Sequence, residues 1–197
     1  MAKKCRNLLI IITLLILGYG VIASSSHYIG CAALTLVCIV AVEVLLRLCR
    51  VKVPPIMPIC IYVFIFLSMI LGKTFFFYGI PHWDKFLHLT SGLFIALVGM
   101  VILWSLNSKG EKLAPAVIIA FILAFSIAAA GVWEMWEFTT DSLFGLTAQN
   151  NSLNDTMWDI ICGTIGGSVV CIFLYLYYYK DKKFKFIKNT IDYMEEK

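Results

Sequence analysis

Six long apolar runs constrain this chain more than any other feature of its sequence. A helix that crosses the hydrocarbon core of a bilayer needs about 20 mostly apolar residues. The runs cover residues 8–23, 28–46, 55–71, 84–105, 114–136 and 155–178. None of them shows the period-two alternation of a membrane β-strand. The sequence therefore predicts an all-α, polytopic membrane bundle of about six transmembrane helices.

The composition leaves little room for another folded domain. Of the 197 residues, 61% are hydrophobic and only 14% are charged, which is typical of membrane proteins and not of soluble domains. We predict a single transmembrane domain over residues 1–179 and a basic cytoplasmic tail over residues 180–197. The tail mixes lysines with apolar residues, which fits either a short helix on anionic inner-leaflet lipids or a solvated segment that stops translocation.

Basic residues are distributed unevenly along the predicted bundle. If the amino terminus is cytoplasmic, only Lys73 and Lys85 of the 16 basic residues lie on the outer side. The inner set is Lys3, Lys4, Arg6, Arg47, Arg50, Lys52, Lys109, Lys112, Lys180, Lys182, Lys183, Lys185, Lys188 and Lys197. Basic residues near helix ends resist translocation, so we expect a multi-pass protein of the plasma (inner) membrane with both termini in the cytoplasm. A cleaved signal peptide is the alternative for the first run, which lies between basic residues and Ala23-Ser24-Ser25.

Several residues are assigned no chemistry. Seven cysteines are scattered through apolar stretches without a CxxC pair, so we interpret them as small apolar residues and not as disulfides or zinc ligands. They are Cys5, Cys31, Cys38, Cys49, Cys60, Cys162 and Cys171. The net charge of +4 follows from the inner basic residues, and nucleic-acid binding has no support. Glu43 lies four residues before Arg47, which predicts an ion pair within one helix.

Acidic residues and one histidine gather near the outer ends of the last three runs. They form pairs spaced three or four residues apart, so the members of each pair share one helix face. The pairs are Asp84 with His88, Glu134 with Glu137, and Asp155 with Asp159, and Asp141 lies one turn beyond Glu137. Because the predicted topology places all three pairs at the same membrane depth, we expect them to converge.

Carboxylates at this depth are costly, so some positive charge should offset them. A divalent metal is one candidate, since histidine and carboxylates on facing helices build metal sites. Metal-activated water attacking a phosphoester or acyl bond would then be the natural chemistry. The second candidate is internal pairing with Lys85, Lys73 or a protonated histidine in a purely structural network. The third is a cationic ligand or a headgroup amine.

In the metal hypothesis each residue of the cluster has a role. The predicted ligands are Asp84, His88, Glu134, Asp155 and Asp159. Glu137 is the predicted general base. Three tryptophans could stack on a substrate, although anchoring at the membrane interface is the alternative; they are Trp133, Trp136 and Trp158.

Two further features concern the surroundings of this cluster. Gly163 and Gly167 have the small-xxx-small spacing that permits close helix packing, which would bring the sixth helix and its acids toward the other helices. His82 precedes the fourth run and is predicted to be exposed, where it could supply a ligand or carry a proton at the rim.

Three sequence blocks resemble the small bacterial membrane proteins of the VanZ-like and YjdF-like families. The blocks are Asp84-Lys85-Phe86-Leu87-His88, Trp133-Glu134-Met135-Trp136-Glu137 and Asp155-Thr156-Met157-Trp158-Asp159. The likeness covers about residues 81–169. VanZ-like proteins usually carry an asparagine before their final glycine, where this chain has Cys162-Gly163-Thr164-Ile165-Gly166. The chain is therefore more similar to the YjdF-like pattern. The resemblance implies a bacterial inner-membrane protein and supplies no reaction.

Two functional hypotheses follow. The first is a membrane protein with an outward-facing polar pocket that acts on or binds an amphiphilic envelope substrate, such as a lipid, with a divalent metal. The second is a non-enzymatic protein whose acidic cluster is structural or binds a cation or lipid headgroup. Membrane lipids are expected partners in both, and nothing in the sequence specifies an oligomeric state.

Overall fold

Helices account for all the regular structure of the described residues. The structure is a computed structural model that describes residues 1–48, 51, 53–107, 111–181 and 184–195. No strand occurs in these ranges, which confirms the predicted all-α class. Residues from the sequence analysis that lie outside them are Cys49, Arg50, Lys52, Lys109, Lys182, Lys183 and Lys197.

Seven helices follow one another along the described chain. They are α1 (Ala2–Ile22), α2 (Ser26–Leu48), α3 (Ile56–Ile65), α4 (Trp83–Leu106), α5 (Pro115–Phe144), α6 (Leu153–Tyr179) and α7 (Lys185–Glu195). A π-helix, Phe66–Thr74, continues α3, and a 3-10 turn, Phe77–Gly79, follows it. Within the described ranges, six helical segments are long and apolar enough to cross a membrane, as the apolar runs predict.

Helix α5 continues to Phe144, beyond the end at residue 136 that the apolar run predicts. It ends where Gly145 adopts a left-handed conformation, with φ of 65°, and donates its backbone N–H to the Asp141 carbonyl. A glycine in this conformation is a common helix stop. Local backbone capping therefore sets the end of α5, and the loss of hydrophobicity does not.

The chain forms two compact units, Met1–Trp83 and Asp84–Lys197. In the first unit, α1, α2 and α3 share an apolar core that includes Leu9, Ile39 and Tyr62. Glu43 is held there by Arg6, whose Nη1 lies 3.0 Å from Glu43 Oε2, and by the Tyr62 hydroxyl, which donates to Oε1. The predicted pair with Arg47 is present at 3.9 Å, but the closer partner comes from another helix.

In the second unit, glycines bring α4 and α5 against α6. A Cβ atom added to Gly92 would lie 2.0 Å from the carbonyl oxygen of Gly163, and one added to Gly166 would lie 2.1 Å from that of Leu89. A Cβ atom on Gly167 would lie 2.5 Å from the Ser126 side chain. The backbones can approach this closely only because no side chain stands between them, which confirms the predicted packing role of the α6 glycines.

Helix α7 gives the tail a defined structure. Its residues Ile187, Thr190 and Ile191 are buried, and the helix packs against α6. The rings of Phe184 and of Phe173 on α6 also meet edge-to-face, with centroids 5.0 Å apart. Ile187 and Ile191 of the tail are therefore covered by protein, while the predicted contact with anionic lipids stays a prediction.

Candidate metal centre

One end of the second unit collects the acidic residues. The first turns of α4 carry Asp84, Lys85 and His88, and α5 supplies Glu134. The first turns of α6 supply Asp155 and Asp159. Glu134 is 3% exposed and Asp159 is 1% exposed. Carboxylates buried at membrane depth are rare unless they are paired or functional.

The imidazole of His88 lies at the centre of these groups. Its Nε2 is 3.7 Å from Asp159 Oδ1, 3.8 Å from Asp84 Oδ1 and 4.0 Å from Glu134 Oε1. These distances are too long for hydrogen bonds. Ligand atoms bound to one zinc ion lie about 2.0–2.2 Å from it, so two of them are at most about 4.4 Å apart. The three distances around His88 therefore suit a shared divalent ion after small side-chain adjustments.

Two of the oxygens around His88 lack hydrogen bonds. Glu134 Oε1 and Asp159 Oδ1 are buried and have no hydrogen-bond partner among the described residues, although Asp159 Oδ1 lies 2.9 Å from the Lys85 ammonium. A buried acceptor without a partner costs about 1–3 kcal/mol, and a charged one costs more. One potential ligand atom each from Asp84, His88 and Asp159 all lie within 4.8 Å of one another. The space beside His88 Nε2 is thus suited to a cation.

Lys85 forms a second centre beside the first. Its Nζ lies 2.5 Å from Asp155 Oδ1 and donates to Asp159 Oδ2 at 2.9 Å. It also lies 3.5 Å from Asp84 Oδ2 and 2.9 Å from Asp159 Oδ1, so the ammonium is in ion-pair contact with both carboxylate oxygens of Asp159. The expected internal pairing with lysine therefore occurs through Lys85. Lys73, the other candidate for this pairing, belongs to the first unit.

The charges of Lys85 and His88 do not balance the cluster. Asp84, Glu134, Asp155 and Asp159 carry four negative charges when ionised, against one on Lys85 and at most one on His88. Like charges this close repel strongly in a medium of low dielectric constant. A divalent cation would remove most of the excess.

Asp155 takes part in the lysine-centred network. Its Oδ1 contacts Lys85, and its Oδ2 accepts a hydrogen bond of 2.8 Å from Asn150 Nδ2. Its backbone N–H donates to the Ser152 hydroxyl, which caps α6. Both carboxylate oxygens thus have partners, and its predicted role as a metal ligand stays a prediction.

The loop between α5 and α6 supplies polar groups that the sequence analysis missed. Both carboxylate oxygens of Asp141 accept backbone N–H groups, from Ala148 at 2.9 Å and from Gln149 at 3.0 Å. Gln149 Nε2 then donates to Glu134, to the backbone oxygen at 3.2 Å and to Oε2 at 3.3 Å. Asn150 reaches Asp155 from the same loop. Gln149 and Asn150 lie outside the helices and follow no helical spacing, so only the turn-forming character of Asn150 could have indicated them, whereas helical spacing had already indicated Asp141 on α5.

Glu137 and the tryptophans lie toward the outside of the helices. Glu137 is half-buried, and its Oε1 accepts a hydrogen bond of 2.8 Å from Trp133 Nε1. Trp133, Trp136 and Trp158 are 51%, 61% and 51% exposed, as suits residues that meet lipid headgroups. His82 is exposed, as predicted, just before α4. The roles of Glu137 as base and of the tryptophans in substrate binding stay predictions.

A cavity of about 620 Å³ lies between α5, α6 and the loop that joins them. Glu134 lines it and also contributes to the cluster around His88. The remaining lining is Gly131, Met135, Phe138, Asp141, Ser142, Leu146, Gln149, Asn151, Ser152, Leu153, Thr156 and Ile160. The cavity and the acidic cluster therefore share one carboxylate.

Residues 5–180 match the model of a protein family described as "Predicted membrane protein (DUF2238)". The chain belongs to this family. An uncharacterized protein of Thermotoga maritima is 32% identical to this DUF2238 member over 103 residues, which are 52% of the chain and 53% of that protein. The chain thus aligns with about half the length of this curated relative. No solved structure matches the chain. The family establishes a membrane protein and names no activity.

Proposed function

We propose that this protein holds a divalent metal ion between Asp84, His88, Glu134 and Asp159 and uses it to hydrolyse an amphiphilic envelope molecule. The observation that carries the proposal is the set of three carboxylate oxygens 3.7–4.0 Å from His88 Nε2. Two of those oxygens are buried without a hydrogen-bond partner in the described part of the chain.

The ligand set favours a metal that accepts both nitrogen and oxygen. Imidazole suits zinc and iron, whereas carboxylates also suit manganese and magnesium. A site with one histidine and up to three carboxylates is therefore expected to load with Zn²⁺ or Mn²⁺. Such an ion would supply a hydroxide-like nucleophile from bound water near neutral pH.

The protein's own residues have distinct parts in this proposal. Lys85 donates a hydrogen bond to Asp159 Oδ2 and lies 2.9 Å from Oδ1, so it would fix the position of this carboxylate beside the ion. Gln149 holds Glu134 Oε2 in the same way. Outer partners of this kind orient metal ligands and strengthen binding. Glu137 lies one helical turn beyond Glu134 and is the proposed general base.

The membrane location is part of the proposal. The distribution of basic residues supports a plasma-membrane protein with cytoplasmic termini and an outward-facing cluster. The resemblance to YjdF-like proteins supports a bacterial inner membrane. Ala148→Cys, in the exposed α5–α6 loop, should react with an impermeant maleimide added to intact cells, whereas Lys112→Cys should react only after lysis. The opposite pattern would refute the orientation, and the unaltered protein controls for its own cysteines.

A non-enzymatic protein is the second candidate, and the contacts of Lys85 favour it. This lysine already links α4 to two carboxylates of α6, and Asn150 adds a further link to Asp155. A polar network of this kind can hold membrane helices together without any ligand. It leaves Glu134 Oε1 and Asp159 Oδ1 without hydrogen bonds among the described residues, and it does not balance the negative charge of the cluster, which is why we favour the metal.

Metal analysis separates the two candidates. Purified protein is stripped with a chelator, incubated with Zn²⁺ or Mn²⁺, passed through a desalting column and measured by mass spectrometry. The unaltered chain should retain about one ion, and His88→Ala and Asp159→Asn should lose it. Glu43→Gln changes a carboxylate of the first unit and should retain the ion. Failure of the unaltered chain to retain metal, or equal retention by His88→Ala, would refute the metal centre.

A further inference from the structure

We infer that the cavity between α5 and α6 binds an amphiphile with one hydrocarbon chain and an uncharged, hydroxyl-bearing headgroup. This inference rests on the proposed function, because it names the substrate class of the same site.

The size of the cavity suits a small amphiphile. Its volume is about 620 Å³, within the range of about 300–1,000 Å³ that is usual for small-molecule sites. Gly131 contributes to this space, because a Cβ atom added there would meet no atom within 4 Å. The cavity therefore has room beside α5 for a bound molecule.

Part of the cavity lining is apolar and exposed at the surface of the protein. Met135, Phe138 and Leu146 line it and are 61%, 63% and 52% exposed. Leu153 and Ile160 extend this wall along α6. Exposed apolar residues beside a cavity favour a ligand that brings its own hydrocarbon. A single alkyl chain can enter from the lipid phase along this wall.

The cavity lining also offers neutral hydrogen-bonding groups. Ser142, Gln149, Asn151 and Thr156 provide hydroxyl and amide groups. Both Asp141 oxygens are committed to backbone N–H groups of the loop. Hydroxyl and amide groups match a polyol headgroup, which both donates and accepts hydrogen bonds.

An anionic headgroup finds no counterion in this lining. Glu134 and Asp141 are its charged members, and the described residues that form it include no lysine, arginine or histidine. Lys85, the basic group of the cluster, is held by Asp155 and Asp159. With a divalent ion bound, the four ionised carboxylates, Lys85 and the ion together still carry a net negative charge. A phosphate would therefore be repelled, and an uncharged head would not.

The lack of positive charge in the cavity lining distinguishes between the two reactions that the sequence left open, which are hydrolysis of a phosphoester and hydrolysis of an acyl ester. A carboxylic ester is uncharged, whereas a phosphoester brings negative charge to an acidic site. In ester hydrolysis the oxygen of water bonds to the carbonyl carbon, the ester C–O bond breaks, and the leaving oxygen takes a proton from the water. The products are a fatty acid and an alcohol. The structure thus favours an acyl ester as the bond that is cleaved.

A binding comparison tests the inference on the unaltered full-length protein. Native mass spectrometry from detergent measures the apparent Kd of 1-monolauroylglycerol and of dodecyl phosphate, which have chains of equal length. We expect binding of the neutral amphiphile to be at least about tenfold tighter. Equal binding, or tighter binding of dodecyl phosphate, would overturn the inference.

Filling the cavity provides the second measurement. Gly131→Leu should weaken monolauroylglycerol binding at least about tenfold, because the leucine occupies open space in the cavity. Gly30→Leu is the matched control, since a Cβ atom at Gly30 also meets nothing within 4 Å and α2 lies in the other unit. Unchanged binding to Gly131→Leu would place the amphiphile elsewhere and refute the cavity.

The metal measurement keeps this inference distinct from the proposed function. Gly131→Leu should retain Zn²⁺ as the unaltered chain does, which also shows that it folds. If the unaltered chain binds monolauroylglycerol but no metal, the proposed function fails and the cavity assignment stands. If it binds metal but no amphiphile, the cavity assignment fails alone.

Discussion

His88 Nε2 and Asp159 Oδ1 lie 3.7 Å apart across the α4–α6 contact, and the oxygen has no hydrogen-bond partner among the described residues. A direct hydrogen bond would bring these atoms to about 2.7–3.2 Å. His88 Nε2 is also 4.0 Å from Glu134 Oε1 on α5. Separations of this length distinguish a potential ion site from a completed polar network. Lys85 shows the contrast, because its short contacts to Asp155 and Asp159 form such a network.

Glu134→Gln should separate metal binding from structure. The new side chain can still accept a hydrogen bond from Gln149 and removes a buried charge, so the unfolding midpoint without metal should stay the same or rise. Stabilisation by saturating Zn²⁺ should fall by about 1.4 kcal/mol for each tenfold loss of affinity. Thermal unfolding with and without Zn²⁺ measures both effects. A lower midpoint without metal, with no zinc effect in either protein, would support the structural network.

Lys85→Met should destabilise the second unit strongly. Loss of the ammonium leaves Asp155 and Asp159 without their shared counterion, and breaking a buried pair in this way costs about 3–5 kcal/mol. Reversible unfolding in mixed micelles gives the free energy, with Lys112→Met as control because Lys112 is exposed. Equal stability of the two variants would contradict the linking role of Lys85.

Gly92→Ala should push α4 away from α6. Its Cβ atom would lie 2.0 Å from the Gly163 carbonyl oxygen, and neither backbone can yield without moving a helix. Overpacking of this kind costs about 1–3 kcal/mol. Zinc retention should also fall, because Asp84 and His88 lie on α4 and Asp159 lies on α6. Gly18→Ala adds a methyl group in open space, and a similar loss of stability in both variants would argue against the close contact.

Glu137→Gln should impair hydrolysis and leave metal binding intact. Removal of a general base lowers the rate about 10²–10⁴-fold, and Glu137 is not among the residues that surround His88 Nε2. Release of laurate from 1-monolauroylglycerol by the zinc-loaded protein measures the rate. The control is Glu111→Gln, at an exposed position. A full rate with normal zinc content would remove Glu137 from the mechanism.

Interactions between nearby residues were predictable, and interactions between distant residues were only partly so. The spacing of Asp84 and His88 placed them on one face of α4, and their side chains lie 3.8 Å apart. The same rule found the Glu43–Arg47 pair but missed Arg6, which is the closer partner of Glu43 and comes from another helix. Helical periodicity states which residues share a face, but it does not state which face meets another helix.

The sequence by itself determined the six membrane-spanning helices, because the length and hydropathy of each segment decide whether it can cross the hydrocarbon core of a bilayer. It also determined that acids collect at one end of α4, α5 and α6. Only the tertiary structure decided that Lys85 pairs with Asp155 and Asp159, that Gln149 reaches Glu134, and that two carboxylate oxygens face His88 without hydrogen bonds among the described residues. Those outcomes depend on how closely the glycine contacts let α4 and α6 approach and on the path of the α5–α6 loop, and neither is encoded in the periodicity of a single helix.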